Sequence, residues 1–236
     1  MKLTRTALAL TAVAIAPALL LATPALASAA PVKASVTAPA GAALGSDTEN
    51  AAAIAKILAD PASGKSVIRA ANAALSGTPE DRVAFLTTGL AKAQDEDNTV
   101  AILRILAGKP GKGVTREANK ALDGTPADRV AFLATGLAKA QDEDNTVAIL
   151  RILAGKPGKG VTREINKALD GTAADRVAFL ATGLRLAQAE DDRVAVATIL
   201  ARPGISDALY AEIQRLLDGG TPEELRYFIT VGQYQF

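Results

Sequence analysis

An all-α array of stacked helical repeats, α-solenoid-like, with four units of about 47 residues and three short helices in each, is the fold class this sequence predicts. Three observations predict it. Residues 79–125 recur at 126–172 with three changes, Glu80 to Ala127, Thr87 to Ala134 and Ala118 to Ile165. Looser copies flank that pair, so that Phe85, Phe132, Phe179 and Phe228 fall at spacings of 47, 47 and 49 residues. Within each copy the apolar residues recur at helical spacing. A period in this range belongs to helical units that cannot bury their apolar faces alone and do so by stacking.

The chain opens on the pattern of a secretory signal over residues 1–29. Lys2 and Arg5 precede an uncharged apolar run from Ala7 to Leu21, and small residues follow that fit cleavage after Ala29. The alternative, an uncleaved membrane anchor, asks for about 20 apolar residues; the run is shorter, and Pro17 and Pro24 interrupt it. No second apolar run is long enough to cross a bilayer, so no membrane span is expected after cleavage. Residues 30–47 are rich in Ala, Pro, Gly and small polar residues and read as a flexible linker. The repeats fill 48–236.

In each repeat the first helix opens at a turn such as Thr78-Pro79-Glu80-Asp81. Thr78 can cap it, Pro79 suits its first position, and the acids favour the positive end of the helix dipole. Val83, Leu86, Leu90 and Ala93 form its apolar stripe, with Phe85 beside it. Gly89 interrupts the pattern and returns as Gly136, Gly183 and Gly232, which implies a close backbone contact or a break. The second helix is expected to begin at the acidic turn Asp95-Glu96-Asp97-Asn98 and to run to Ala107. Only Arg104 interrupts its apolar residues, so it is expected to be buried on all sides as a central layer. Gly108 and Lys109-Pro110-Gly111 end it. The third helix carries Val114, Ala118, Ala121 and Leu122 on one face, and Ala71, Ala118, Ile165 and Ile213 share one register in it. With each unit started at the second helix, the chain divides into 48–94, 95–141, 142–188 and 189–236. These are four whole units, which leads us to expect a complete array. Five of the eight aromatic residues fall in the last 27 positions. They read as a terminal cap or, alternatively, as an exposed contact patch.

Composition narrows the function. Taking Lys2 and Arg5 from the 26 basic residues leaves 24 against 25 acidic ones, a balance that argues against nucleic acid as a partner. The chain has no His, Cys or Trp, and Met1 is its only Met. Disulfides, zinc or copper sites of the usual kind, and His-activated Ser or Cys nucleophiles are therefore excluded. No cofactor, metal ion or catalytic residue is expected.

Three features imitate chemistry. Residues 59–66, ADPASGKS, match a relaxed phosphate-loop pattern, but that loop needs a strand before it, and here a helix precedes it. The acidic turns 95–97, 142–144 and 190–192 lack the spacing of a calcium loop and read as caps for the second helix. The third is a ladder of positive charge. Lys109, Lys112 and Arg116 return as Lys156, Lys159 and Arg163, at loop positions that a solenoid brings to one side. These six residues form a candidate site for a polyanion, set against the plainer reading of a solvated face.

The stretch from Ala71 to Leu106 closely resembles the ALF repeats of secreted actinobacterial proteins. The resemblance lies in Ala-Leu-x-Gly-Thr-Pro at 74–79, Phe-Leu-x-x-Gly at 85–89, and Asp97 leading into an apolar helix, and it extends over 48–236. Ala173 departs from the pattern where Pro stands in the other copies. The resemblance implies a secreted, extracellular protein, with association with the cell wall as a further option, and no reaction. The expectation is a non-catalytic repeat scaffold for protein or cell-envelope interaction. Binding of an anionic cell-wall polymer through the Lys/Arg ladder is the alternative, and a carboxylate-dependent hydrolase is the remote one.

Overall fold

A computed structural model of the protein describes residues 45–236. The expected signal at 1–29 and nearly all of the expected linker at 30–47 lie outside the described residues. Within them the chain is an all-α repeat array with no strand. Its helices are α1 (Asp47–Ala59), α2 (Lys65–Ser76), α3 (79–107), α4 (Lys112–Asp123), α5 (126–154), α6 (Lys159–Asp170), α7 (173–200), α8 (Asp207–Gly219) and α9 (Pro222–Thr230). A short 3₁₀ turn, Gly232–Tyr234, follows.

The expected first and second helices are not separate. They join across each unit boundary as α3, α5 and α7. No Gly or Pro lies between Leu90 and Ala107 to stop propagation, and the acidic stretch 95–98 sits in mid-helix. The expected cap at that stretch is therefore overturned. What the sequence registered as Gly89 is a π turn over Phe85–Gly89, where the Leu90 N–H reaches the Phe85 carbonyl. The widened turn puts Phe85 and Leu90, five apart, into the same core. It also accounts for the glycine: a Cβ on Gly89 would stand 3.2 Å from the Phe85 ring, and the same contact recurs at Gly136, Gly183 and Gly232.

Each long helix, and the short α9, opens with a reciprocal cap. Thr78 and Asp81, Thr125 and Asp128, Thr172 and Asp175, and Thr221 and Glu224 exchange side-chain and backbone hydrogen bonds. The two halves of a long helix then serve different cores. In the second core, Ile102 from the end of α3, Val114, Ala118 and Ala121 from α4, and Phe132, Leu137 and Ala140 from the start of α5 pack together. The same arrangement fills the first and third cores. Ala71, Ala118, Ile165 and Ile213 occupy one register and are fully buried, so the core grows by a large side chain from the second layer to the third.

The second half of the long helix is not a buried central layer. Leu103 is 50% exposed and Leu150 47%, and Val100 and Val147 are exposed beside them. Ile102 turns into the core and Leu103 away from it, so the surplus apolar residues face outward. Of the five terminal aromatics only Phe228 enters the last core. Tyr210, Tyr227, Tyr234 and Phe236 are exposed, and the core is closed by Ile213, Leu216, Leu225 and Phe228.

This geometry makes the array shortenable. Deleting 95–141 joins Gln94 to Asp142 in unbroken helical register, and every contact described below for the seam between layers is regenerated with its counterpart. Circular dichroism should show a cooperative melt and a helical fraction close to that of the intact chain. Removal of 189–236 should be the more damaging cut, since it bares the core under α7. The reverse order of damage would rule out nearest-neighbour stacking.

Candidate functional site

The repeated charges converge on the seam between layers. α2, α4 and α6 begin after Gly64, Gly111 and Gly158, none of which has a side chain to cap the helix. The missing acceptor comes from the next long helix. Asp144 Oδ1 accepts the Gly113 N–H at 2.7 Å, and its Oδ2 accepts the Val114 N–H at 3.0 Å. Asp97 does the same for Ser66 and Val67, and Asp191 for Gly160 and Val161. These are the second and third N–H groups that an N-cap normally satisfies. A Cβ on Gly111 would collide with the Asp144 carboxylate, so glycine stands there to admit a cap from 31 residues away. The acids thus cap the helix before them, not the helix they were expected to start.

The rest of the triplet is also engaged. Glu96, Glu143 and Glu190 pair with Arg69, Arg116 and Arg163 on the surface. Asp95 takes both forks of Arg129 at 2.6 and 2.7 Å, while the third nitrogen of Arg129 donates to the Ala121, Leu122 and Gly124 carbonyls at the end of α4. Asp47 with Arg82 and Asp142 with Arg176 repeat this clamp. The three arginines are 11–13% exposed. Hydrogen bonding from Arg176 holds the Asp142 carboxyl below the usual carboxylate range.

The last seam is chemically different. Ala189 stands at the position of Asp142, and Leu225 at that of Arg176. Both are buried in the fourth core, so an ion pair is exchanged for an apolar contact. Asp192, where the other layers have Asn98 and Asn145, pairs instead with Arg226 at 3.1 Å. Its second oxygen is buried without a partner, and burial pushes its carboxyl up against the pull of Arg226. The array's ends are satisfied locally. Ser46 forms a reciprocal cap with Glu49 in α1, and Ser206 caps α8.

The six ladder residues separate into two kinds. Arg116 and Arg163 are tied to Glu143 and Glu190, whereas Lys109, Lys112, Lys156 and Lys159 are exposed and make no ion pair among the described residues. Lys109 and Lys156 adopt the left-handed conformation, with φ of 53° and 54°. Glycine is the usual residue there; the sequence has Gly108 one place too early. The phosphate-loop imitation is filled from within, because the start of α2 already holds the Asp97 carboxylate.

The trans-caps were the main feature that sequence reasoning missed. Their signal was a glycine before every interior short helix, set against Ser206 before the last one. The outward Val and Leu residues carry no sequence signal, because a helix apolar on every side reads the same whether one face or all of it is buried. Among the described residues no group of acids is placed to hold a metal ion, and no helix is long and apolar enough to cross a membrane. Residues 52–93, 100–140, 147–187 and 193–236 each match the family ALF, described as short repeats of unknown function. No curated protein matches the chain.

Proposed function

This chain belongs to the ALF family of short repeats of unknown function, and from that premise we propose that it is an exported, non-catalytic scaffold that binds a protein or cell-envelope partner along its stacked face. One observation carries the reading. The carboxylates of the acidic stretches 95–97 and 142–144 are occupied by backbone N–H groups or arginines of the seam, which leaves them unsuited to acid–base work. The outer face repeats in parallel, and repetition multiplies weak contacts. Export rests on the pattern of Lys2, Arg5 and the apolar run after them.

The left-handed lysines favour a second reading, an anionic envelope polymer bound by Lys109, Lys112, Lys156 and Lys159. A non-glycine residue in that conformation costs about 1 kcal/mol, and the cost recurs at two exposed cations. One experiment addresses both readings: tagged protein is recovered from its host's medium and wall fraction, with its N-terminus sequenced. The scaffold reading expects a chain that begins near Ala30 and carries a stoichiometric partner. The polymer reading expects wall retention that weakens sharply as salt rises through the range where the screening length is about 8–10 Å, and that disappears when the four lysines become Glu. A chain recovered alone and unretained would count against both.

A further inference from the structure

The seams between layers all use the same two contacts. Asp97, Asp144 and Asp191 cap the short helices that begin after Gly64, Gly111 and Gly158. Beside those caps, Arg69, Arg116 and Arg163 reach Glu96, Glu143 and Glu190. The outermost helices, α1 and α8, hold the two halves of one more such seam, which would form if α8 of one copy of the chain met α1 of another. Every residue that makes those contacts is replaced in both halves. The Asp47–Arg82 clamp matches that of Asp95 and Arg129, which sets the register and puts Thr48 and Glu49 at the positions of Glu96 and Asp97. Ile213 shares the register of Ile165, which puts Ser206, Asp207 and Ala211 at the positions of Gly158, Lys159 and Arg163.

We infer that these replacements are end stops, which keep copies of the chain from stacking through the seam that joins layers within it. Shape acts first. A Cβ on Gly64, Gly111 or Gly158 would collide with the capping carboxylate, so the side chain of Ser206 excludes an acid from a second copy. Ser206 Oγ already accepts the Leu209 N–H at 3.1 Å, and α8 therefore has no cap left to borrow. The acid on the other half is equally committed, because Glu49 Oε2 accepts the Ser46 N–H at 2.7 Å and its hydroxyl at 2.9 Å. Charge acts second. Thr48 and Ala211 cannot form the ion pair, and α8 opens with Asp207 where α2, α4 and α6 open with lysine. Stacking would set that aspartate beside Glu49, and like charges brought together oppose association. The need for such stops follows from the architecture. The open face of a repeat array is a template for the next unit, and a head-to-tail contact that does not close into a ring grows into a filament.

The test restores one half of the seam at a time. Ser46→Ala, Thr48→Glu and Glu49→Asp rebuild the acidic half on one protein, and Ser206→Gly, Asp207→Lys and Ala211→Arg rebuild the basic half on another. Sedimentation equilibrium should find the parent and each variant alone monomeric up to about 1 mM. The two variants mixed should form a one-to-one pair, at least about tenfold tighter than either variant forms with the parent. The basic-half variant should melt below the parent, having lost its own cap, and should regain part of that loss when the acidic-half variant is added. Asp207→Lys with Ala211→Arg, which keeps Ser206, should not pair. Circular dichroism checks that each variant is folded; if the triple basic-half variant is not, Ser206→Gly alone takes its place, and weaker pairing is expected. Folded halves that stay monomeric when mixed, equal pairing with Ser206 kept, or a parent that stacks on itself would overturn the end stops.

Discussion

Arg176→Leu alone should lower the melting temperature by roughly 5–10 °C, and adding Asp142→Ala should restore at least half of that loss. The single change leaves Asp142 partly buried with no counter-ion and removes donors from the Ala168, Leu169 and Gly171 carbonyls. The double change copies Ala189 and Leu225, which the last layer already packs in its core. Breaking a shielded ion pair is costly, whereas replacing both partners by apolar groups can be close to neutral. A double variant no more stable than the single one would show that the clamp is not exchangeable for packing. The pH dependence has a definite sign. The Asp142 carboxyl is lowered on folding, so its contribution is complete above the ordinary carboxylate range and is lost as pH falls through the lower folded value. The deficit of Arg176→Leu should therefore shrink below about pH 4. Asp192 is raised on folding and runs the other way: its burial opposes folding at neutral pH, and protonation relieves it.

Asp144→Ala should cost about 1–3 kcal/mol, because it strips the cap from α4 and leaves two N–H groups in a partly buried seam. The sharper result is a change of sign. Gly111→Ser in the parent should destabilise, since its Cβ meets the Asp144 carboxylate. In the Asp144→Ala background the same substitution should stabilise, because the space is open and serine can cap its own helix as Ser206 does. Urea denaturation gives the energies, and hydrogen exchange at the Gly113 and Val114 amides reports the cap directly. If Gly111→Ser acts in the same direction in both backgrounds, Asp144 is not the cap of α4.

The fold was legible because repetition and periodicity are local properties. Thr78 with Asp81 announces a helix start, Val114, Ala118 and Ala121 announce a buried face, and the recurrence of Phe85 announces the layers. The helix boundary at 95–98 was misjudged because Asp and Asn are equally at home at a cap and on a helix whose side chains are satisfied elsewhere. Only the positions of Ser66, Val67 and Arg129, each 30 to 34 residues away, decide between these.

The class, the period and the face that each short helix buries follow from spacing along one chain and are legible without a structure. The tertiary structure alone decided which charges are structural and which are free. Arg116 and Lys112 are four residues apart and look alike in sequence, yet one meets Glu143 across the seam and the other meets solvent. It likewise decided that Leu103 faces outward while Ile102 is fully buried. A residue's partner is set by what stacking brings beside it, and that neighbour comes from the next repeat.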